Sequence, residues 1–147
     1  MHTDTFHVWI RSGFVLPHRP EAGPQNEVVR NVMIDAACAY ASGGYDVVLD
    51  GLLRPWLLDS FRAACRQRRI GLSYIVLRPS RDVTLSRATE REGRQLKDVE
   101  PITGLYGAFA DMGPLESHVV DSSDQSVEET TAEIAAGLRT DRFVMGA

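Results

Sequence analysis

A carboxylate follows a short apolar run near the middle of the chain. Val47–Leu49 are bounded by turn residues, with Gly44 before the segment and Gly51 after it, and Asp50 comes directly after the run. The run is too short for a helix, which favours a buried parallel strand. Ligands bind at the carboxyl ends of strands in open α/β sheets, and a carboxylate there can hold Mg²⁺ directly or through water. The sequence therefore predicts Asp50 as a metal ligand; the alternative is that it caps the next helix.

Two arginines four residues apart lie in a helix that Ser80 is predicted to cap. Arg87 and Arg91 share a face of this helix. Two guanidinium groups on one face can stabilise the charge on a phosphoryl group during transfer. The alternative is a solvated face on which these arginines pair with Glu90 or Glu92.

The elements that must position these residues alternate along the chain. A helix is predicted from Pro24 to the glycine stop at Gly43, and Ser126 and Glu129 form a capping box at the start of the last helix. Alternating helices and strands predict a parallel sheet covered on both faces, which is a three-layer α/β/α fold. Residues 1–139 form the predicted domain and residues 140–147 a loose tail. The predicted strands are Val47–Asp50, Leu72–Leu77 and His118–Asp121.

Composition excludes several classes of partner. The chain has 147 residues and a formal net charge of −4, which argues against a dedicated binder of nucleic acid or of anionic membranes. No stretch is long enough to span a bilayer. The polar first residues lack the pattern of a signal peptide. We therefore predict a cytoplasmic protein with neither nucleic acid nor membrane as a partner.

Five segments in order resemble the P-loop kinases of the shikimate-kinase and gluconate-kinase type. Within that group the chain is most similar to the chloramphenicol-phosphotransferase and zeta-toxin-like branch, often described as AAA-family ATPases. The resemblance covers most of the predicted domain, and it depends on the order and spacing of the segments more than on any one of them. The segments are His2–Phe6, Val47–Gly51, Tyr74–Arg78, Arg87–Arg91 and His118–Ser123.

The resemblance implies ATP-dependent phosphoryl transfer to a small-molecule hydroxyl, with ATP and Mg²⁺ as cofactors. Asp4 stands where the family keeps the acidic group that takes the proton from the acceptor; the alternative is a mobile terminal carboxylate. Asp50 would hold Mg²⁺ and bind the nucleotide through it. Arg87 and Arg91 would bind the phosphates and stabilise the transferring group.

The resemblance also implies sites for the nucleotide and for the acceptor. Ser122, in the loop after the last strand, would contact the nucleotide, although turn chemistry explains a serine there equally well. Phe6, Trp9 and Arg11 would line the acceptor pocket, because such pockets combine aromatic side chains with a few polar groups. For Phe6 and Trp9 the alternative is core packing.

One departure from the family affects every part of this interpretation. The chain contains no G-x-x-x-x-G-K-[ST] sequence, which supplies the phosphate cradle in these kinases. The family places it before the segment that Met1 begins, so the resemblance implies that a central strand, the loop and a helix of roughly 30 residues are missing. Two alternatives stay open: a truncated or mis-started kinase chain, or a catalytically inactive remnant that serves as a binding or regulatory module.

The family's strand order, 2-3-1-4-5, gives expectations for the pairing of the segments that remain. Residues 1–3 should lie beside Val47–Asp50, and Leu72–Leu77 should lie beside Val119–Asp121. The missing strand would lie between Val47–Asp50 and Leu72–Leu77. Because buried backbone groups need partners, we expect those two segments to pair directly.

Overall fold

A computed structural model of the protein describes residues 1–90 and 99–146, and the helical segments dominate. The chain divides into two compact units, Met1–Gly71 and Leu72–Gly146. The boundary lies just after Gly71, where the sequence passes from a helix to an extended segment.

The predicted three-layer α/β/α sheet is wrong. Within the described residues the only sheet has two strands of two residues each, β1 (Val76–Leu77) and β2 (Val119–Val120). The side chain of Val48 is 76% exposed, so its segment is not the buried strand that its apolar sequence predicts. A parallel sheet is stable when helices cover both of its faces. Here that burial is missing at Val48, and only Asp50 of its segment forms a β-bridge.

The expectations about strand neighbours have mixed outcomes. His2 and Asp50 form a parallel bridge, and β1 pairs in parallel with β2, so both expected neighbour pairs are confirmed. The direct pairing expected between Val47–Asp50 and Leu72–Leu77 is wrong, because it is not among the β-pairs of residues 1–90 and 99–146.

The first unit is helical, and local signals predict both ends of one of its helices. Pro24 lies in the first turn of its longest helix and Gly43 caps the end, which confirms both predicted boundaries. Pro55 opens a 3-10 turn that leads into the next helix. The α-helices of this unit are α1 (Thr3–Val8), α2 (Gly23–Ser42) and α3 (Leu58–Arg68), with 3-10 helices at Pro20–Ala22 and Pro55–Leu57.

Helix α2 lies at the centre of the first unit and packs against both α1 and α3. Phe6 of α1 is buried against Val29 and Met33 of α2. On the α3 side, Cys38 and Cys65 are buried free thiols. Burial and the neighbouring Cys38 thiol raise the pKa of Cys65 to about 11, so this thiol is protonated at neutral pH.

The second unit surrounds the pair β1 and β2, whose register is Val76 with Val119 and Leu77 with Val120. The capping box of the last helix is confirmed: Ser126 and Glu129 exchange both of the expected hydrogen bonds. The helices of this unit are α4 (Arg81–Thr89), α5 (Val99–Gly107), α6 (Val127–Arg139) and the 3-10 helix Gly113–His118.

The end of the chain is anchored in the second unit, where the sequence suggested a loose tail. Phe143 is fully buried, and its carbonyl accepts a hydrogen bond of 2.9 Å from the N–H of Tyr74. A Cβ atom at Gly137 would lie 2.2 Å from the Phe143 ring, so glycine leaves the space that this ring needs. His118 is also buried, and its Nδ1 lies 2.8 Å from the Tyr74 carbonyl oxygen. The final turn therefore belongs to the core of this unit.

In the described parts of the chain, none of the helices combines the length and the apolar character that crossing a membrane requires.

We expect Phe143→Ala to lower the free energy of unfolding of the second unit by about 3–5 kcal/mol, because it removes a fully buried aromatic side chain and leaves a cavity. Urea denaturation followed by circular dichroism measures this change. The matched control is Val127→Ala, since Val127 is exposed at the start of α6 and should cost little. Equal stability of the two variants would contradict the burial described for Phe143.

Candidate functional site

A short parallel pairing joins the first residues of the chain to the segment that ends at Asp50. The N–H of Asp50 donates to the carbonyl of Met1 at 2.8 Å, and the N–H of Thr3 donates to the carbonyl of Asp50 at 2.9 Å. The terminal ammonium group of Met1 donates to the carbonyl of Val48. In the sequence, Asp4 follows the first segment of this pairing, and Asp50 ends the second.

The side chain of His2 contacts the backbone of Asp4 and the side chain of Asp50. Its Nδ1 accepts a hydrogen bond of 3.2 Å from the N–H of Asp4 and so caps α1. Its Nε2 lies 3.7 Å from Oδ2 of Asp50. When Nδ1 acts as an acceptor, the proton of a neutral imidazole is on Nε2, which here faces the Asp50 carboxylate. The side chains of His2 and Asp50 are largely exposed, so water can reach this contact.

Gly51 allows the two paired segments to approach each other closely. A Cβ atom on Gly51 would lie 1.8 Å from Oγ1 of Thr3, and Thr3 is buried. Gly51 also has φ +152°, a backbone conformation that other residues rarely adopt. The position after the predicted metal ligand therefore requires glycine for both reasons.

The residues predicted to line an acceptor pocket have different environments. Phe6 is buried in the core against Val29 and Met33, which is the alternative that its aromatic character left open. Trp9 is 61% exposed, and its ring meets the edge of the Phe6 ring at 5.0 Å between centroids. Arg11 is exposed. Of these three, Trp9 and Arg11 have side chains that a solute can reach.

In the second unit, the structure brings together Arg87 and Ser122, both predicted to bind nucleotide. The guanidinium of Arg87 donates to the carbonyl of Ser122 at 2.9 Å, and more weakly to Oγ of Ser122 and the carbonyl of Ser123, each at 3.5 Å. Ser122 is buried. Arg91 lies outside the described residues.

Ser123 organises the loop after β2. Its hydroxyl accepts a hydrogen bond of 2.8 Å from the N–H of Ser80, the residue that caps α4. Its own hydroxyl and N–H both donate to Oδ1 of Asp121. These two hydrogen bonds lower the pKa of Asp121 below its usual value. The bond from the hydroxyl has the larger effect and the bond from the N–H the smaller one. Asp121 therefore stays a carboxylate at neutral pH with part of its hydrogen-bonding capacity in use.

Arg78, directly after β1, is held by its own partners. It pairs with Glu116 and donates to the carbonyl of Phe109 at 2.9 Å. The hydrogen bond from Arg78 lowers the pKa of Glu116, and the same bond raises the pKa of Arg78. This guanidinium is engaged in structural contacts at the carboxyl end of β1.

The described residues contain no dedicated metal site, because no group of three or more His, Cys, Asp or Glu side chains is arranged to hold a metal ion. Mg²⁺ usually keeps several waters and takes only one or two protein carboxylates together with substrate phosphates. The exposed carboxylate of Asp50 is of the donor type that such a site uses, and its metal role stays a prediction.

Sequence reasoning missed two residues that shape these contacts: His2, and Gly51 as a point of close approach. Ser123 did have a signal, because Asp121 followed by serines is the pattern of a turn in which an aspartate accepts from the backbone two residues on. The roles of His2 and Gly51 depend on a partner segment almost fifty residues away, which local patterns do not report.

No family model matches this sequence, and no curated protein matches it either. The kinase resemblance and the roles that it implies for Asp4, Asp50, Arg87 and Ser122 therefore stay predictions.

We expect Gly51→Ala to lower the free energy of unfolding of the first unit by at least about 2 kcal/mol, because the new methyl group meets Thr3 and the backbone is strained. Tryptophan fluorescence during urea denaturation reports on this unit, which contains Trp9 and Trp56. The matched control is Gly71→Ala, since a Cβ there meets nothing within 4 Å. If the two substitutions cost the same, the close approach at Gly51 is wrong.

Proposed function

We propose that this chain contributes to phosphoryl transfer from ATP–Mg²⁺ to a small-molecule hydroxyl, in the manner of the P-loop kinases that it resembles. In this proposal Asp50 holds Mg²⁺ and Asp4 takes the proton from the acceptor hydroxyl. The observation that supports it is the parallel bridge of His2 and Asp50, through which the His2 imidazole contacts both the backbone N–H of Asp4 and the Asp50 carboxylate. A base and a metal ligand must lie near each other for this reaction, because the base takes the proton from the acceptor oxygen that attacks the phosphoryl group, and the metal ion would stabilise the charge on that same phosphoryl group.

His2 gives the proposed site a means of controlling proton position. Its Nε2 faces the Asp50 carboxylate, while its Nδ1 accepts from the N–H of Asp4. This arrangement orients the imidazole and leaves the Asp4 carboxylate free to accept a proton from the acceptor. Mg²⁺, when bound, supplies charge stabilisation on the phosphate oxygens. The exposed Trp9 and Arg11 offer an apolar surface and a cation to the acceptor.

The proposal also requires a phosphate-binding segment that residues 1–147 do not contain, since the chain has no G-x-x-x-x-G-K-[ST] sequence. Backbone N–H groups at the start of a helix usually form that cradle. The DNA upstream of the Met1 codon tests this requirement: an in-frame Gly-rich loop followed by Lys-Ser or Lys-Thr would supply the segment.

A second candidate function is a binding or regulatory module without catalysis. The contacts of Arg87 favour it, because its guanidinium already donates to the carbonyls of Ser122 and Ser123. To bind a phosphate group, Arg87 would have to exchange those partners or share them. In this second candidate function, Arg87 stabilises the loop after β2 through these hydrogen bonds and does not bind a phosphate group.

A titration with Mn²⁺, a paramagnetic substitute for Mg²⁺, tests the proposed metal site by NMR. We expect line broadening centred on the amides of Asp50 and Asp4, and loss of that broadening in Asp50→Asn, because the substitution removes the carboxylate that binds the ion. The matched control is Asp46→Asn, which removes an exposed carboxylate from the same segment and should leave the broadening in place. Calorimetry with ATP–Mg²⁺ should show no micromolar affinity while the phosphate loop is absent.

Two results would contradict the proposal. Broadening that survives in Asp50→Asn means that the ion binds elsewhere. Micromolar ATP affinity of residues 1–147 means that nucleotide binding does not depend on the phosphate loop, and the roles taken from the kinase resemblance then fail.

A further inference from the structure

The two cysteines of the chain lie against each other in the core of the first unit. Cys38 of α2 is 3% exposed and Cys65 of α3 is 8% exposed, and the two thiols hydrogen-bond to each other. Both are free, and the sequence contains no third cysteine. Within this chain each thiol therefore has only the other as a possible disulfide partner.

An ion pair between the same two helices fixes which residues face each other. Nη2 of Arg68 lies 2.9 Å from Oδ1 of Asp35. Asp35 precedes Cys38 by about one helical turn on α2, and Arg68 follows Cys65 by about one turn on α3. The ion pair and the thiol pair therefore lie one turn apart on two antiparallel helices, with Cys38 opposite Cys65.

Facing positions on packed helices suit a disulfide. The axes of packed helices lie about 8–10 Å apart and their Cα atoms about 2.3 Å from each axis, so Cα atoms that face each other are roughly 5 Å apart. A disulfide joins Cα atoms that are about 4.4–6.8 Å apart. The sulfur atoms of Cys38 and Cys65 already hydrogen-bond, so a small change of the side-chain torsions brings them to bonding distance.

A cleft between α2 and α3 gives a small oxidant a path toward this pair. It has a volume of about 390 Å³, and its lining includes Ile34, Asp35 and Ala64. Each of these residues lies within about one helical turn of a cysteine. Because both thiols are buried, the approach favours a small molecule such as a peroxide over a bulky disulfide such as oxidised glutathione.

We propose that Cys38 and Cys65 are a redox-sensitive pair, which a peroxide converts to a reversible disulfide that joins α2 to α3. The bond would close a loop that contains Val48–Asp50, the segment paired with Met1–Thr3. A cross-link of this kind stabilises a protein mainly by restricting its unfolded chain. This inference goes beyond phosphoryl transfer and does not depend on it.

The reaction consumes one molecule of hydrogen peroxide. One thiol loses its proton and attacks a peroxide oxygen; the O–O bond breaks, a sulfenic acid forms, and the released hydroxide takes up the proton to give water. The second thiol then attacks the sulfenic sulfur, so that the S–S bond forms, the S–O bond breaks and a second water leaves. Two electrons pass from the thiols to the peroxide, and a reducing dithiol reverses the change by thiol–disulfide exchange.

The environment of the thiols sets the rate of this oxidation. Burial and the neighbouring Cys38 thiol raise the pKa of Cys65 to about 11, so little of it is thiolate at neutral pH. The thiolate is the form that attacks the oxidant. We therefore expect the pair to oxidise more slowly than free cysteine in water, and to respond to sustained oxidant more than to a brief pulse.

Treatment of the reduced protein with an excess of hydrogen peroxide tests the proposal. We expect both thiols to disappear in a thiol assay, the intact mass to fall by two hydrogen atoms, and a proteolytic digest to contain Cys38 and Cys65 in one cross-linked pair of peptides. The melting temperature of the oxidised protein should lie roughly 10 °C above that of the reduced protein, because the closed loop restricts the unfolded chain. Dithiothreitol should restore the mass, the thiols and the lower melting temperature.

The matched control variant is Cys38→Ala, which keeps a small apolar side chain at the position and leaves Cys65 without a partner in the chain. Peroxide should not raise the melting temperature of this variant, and its intact mass should not fall. The comparison of oxidised with reduced wild-type protein needs no substitution, so the test stands even where the alanine variant does not fold.

Several results would overturn the proposal. They are two thiols that persist in excess peroxide, a mass that rises by added oxygen atoms without a cross-linked peptide, and a disulfide that joins two chains on a non-reducing gel. A disulfide between Cys38 and Cys65 that leaves the melting temperature unchanged or lowers it would also overturn it, since the bond would then not stabilise the packing of α2 on α3.

Discussion

The parallel pairing of Met1–Thr3 with Val48–Asp50 is the interaction on which the candidate site depends. It consists of three hydrogen bonds, and Gly51 makes it possible because any side chain there would meet Thr3. Helix α1 begins at Thr3, so the pairing also fixes where α1 starts and which way Phe6 points into the core. The contact of His2 with Asp50 and the packing of α1 on α2 are therefore consequences of one local pairing.

The second unit uses its polar groups in a different way. Ser123 connects the loop after β2 to the start of α4, and Arg87 donates to the carbonyls of the same loop. A hydrogen bond from an arginine to a phosphate is stronger than one to a neutral carbonyl, so a bound phosphate could draw Arg87 away from these contacts. This competition decides whether Arg87 stabilises the loop or binds a phosphate. The two candidate functions differ in which of these roles they give to Arg87.

Local signals in the sequence predicted local structure well. Pro24 and Gly43 bound α2, and the capping box of Ser126 and Glu129 begins α6, because in each case the deciding atoms lie within one helical turn. The neighbour relation of residues 1–3 and Val47–Asp50 was also predicted, but from the family resemblance.

The larger architecture could not be predicted in the same way. The apolar character of Val47–Leu49 indicates burial, yet burial needs a covering layer, and none covers Val48 among the described residues. Phe143 lies in a segment with turn-like composition, and its burial depends on the space that Gly137 leaves. The sequence drew attention to Asp4 and Asp50 separately, whereas the contact of His2 with Asp50 was not predicted.

Amide hydrogen exchange measured by NMR tests the central pairing most directly. The N–H groups of Asp50 and Thr3 donate within the pairing, whereas those of Val47 and Leu49 have no hydrogen-bond partner among the described residues. The account predicts slow exchange at Asp50 and Thr3 and fast exchange at Val47 and Leu49. Exchange at Asp50 and Thr3 as fast as at Val47 and Leu49 would contradict the pairing and, with it, the contact of His2 with Asp50.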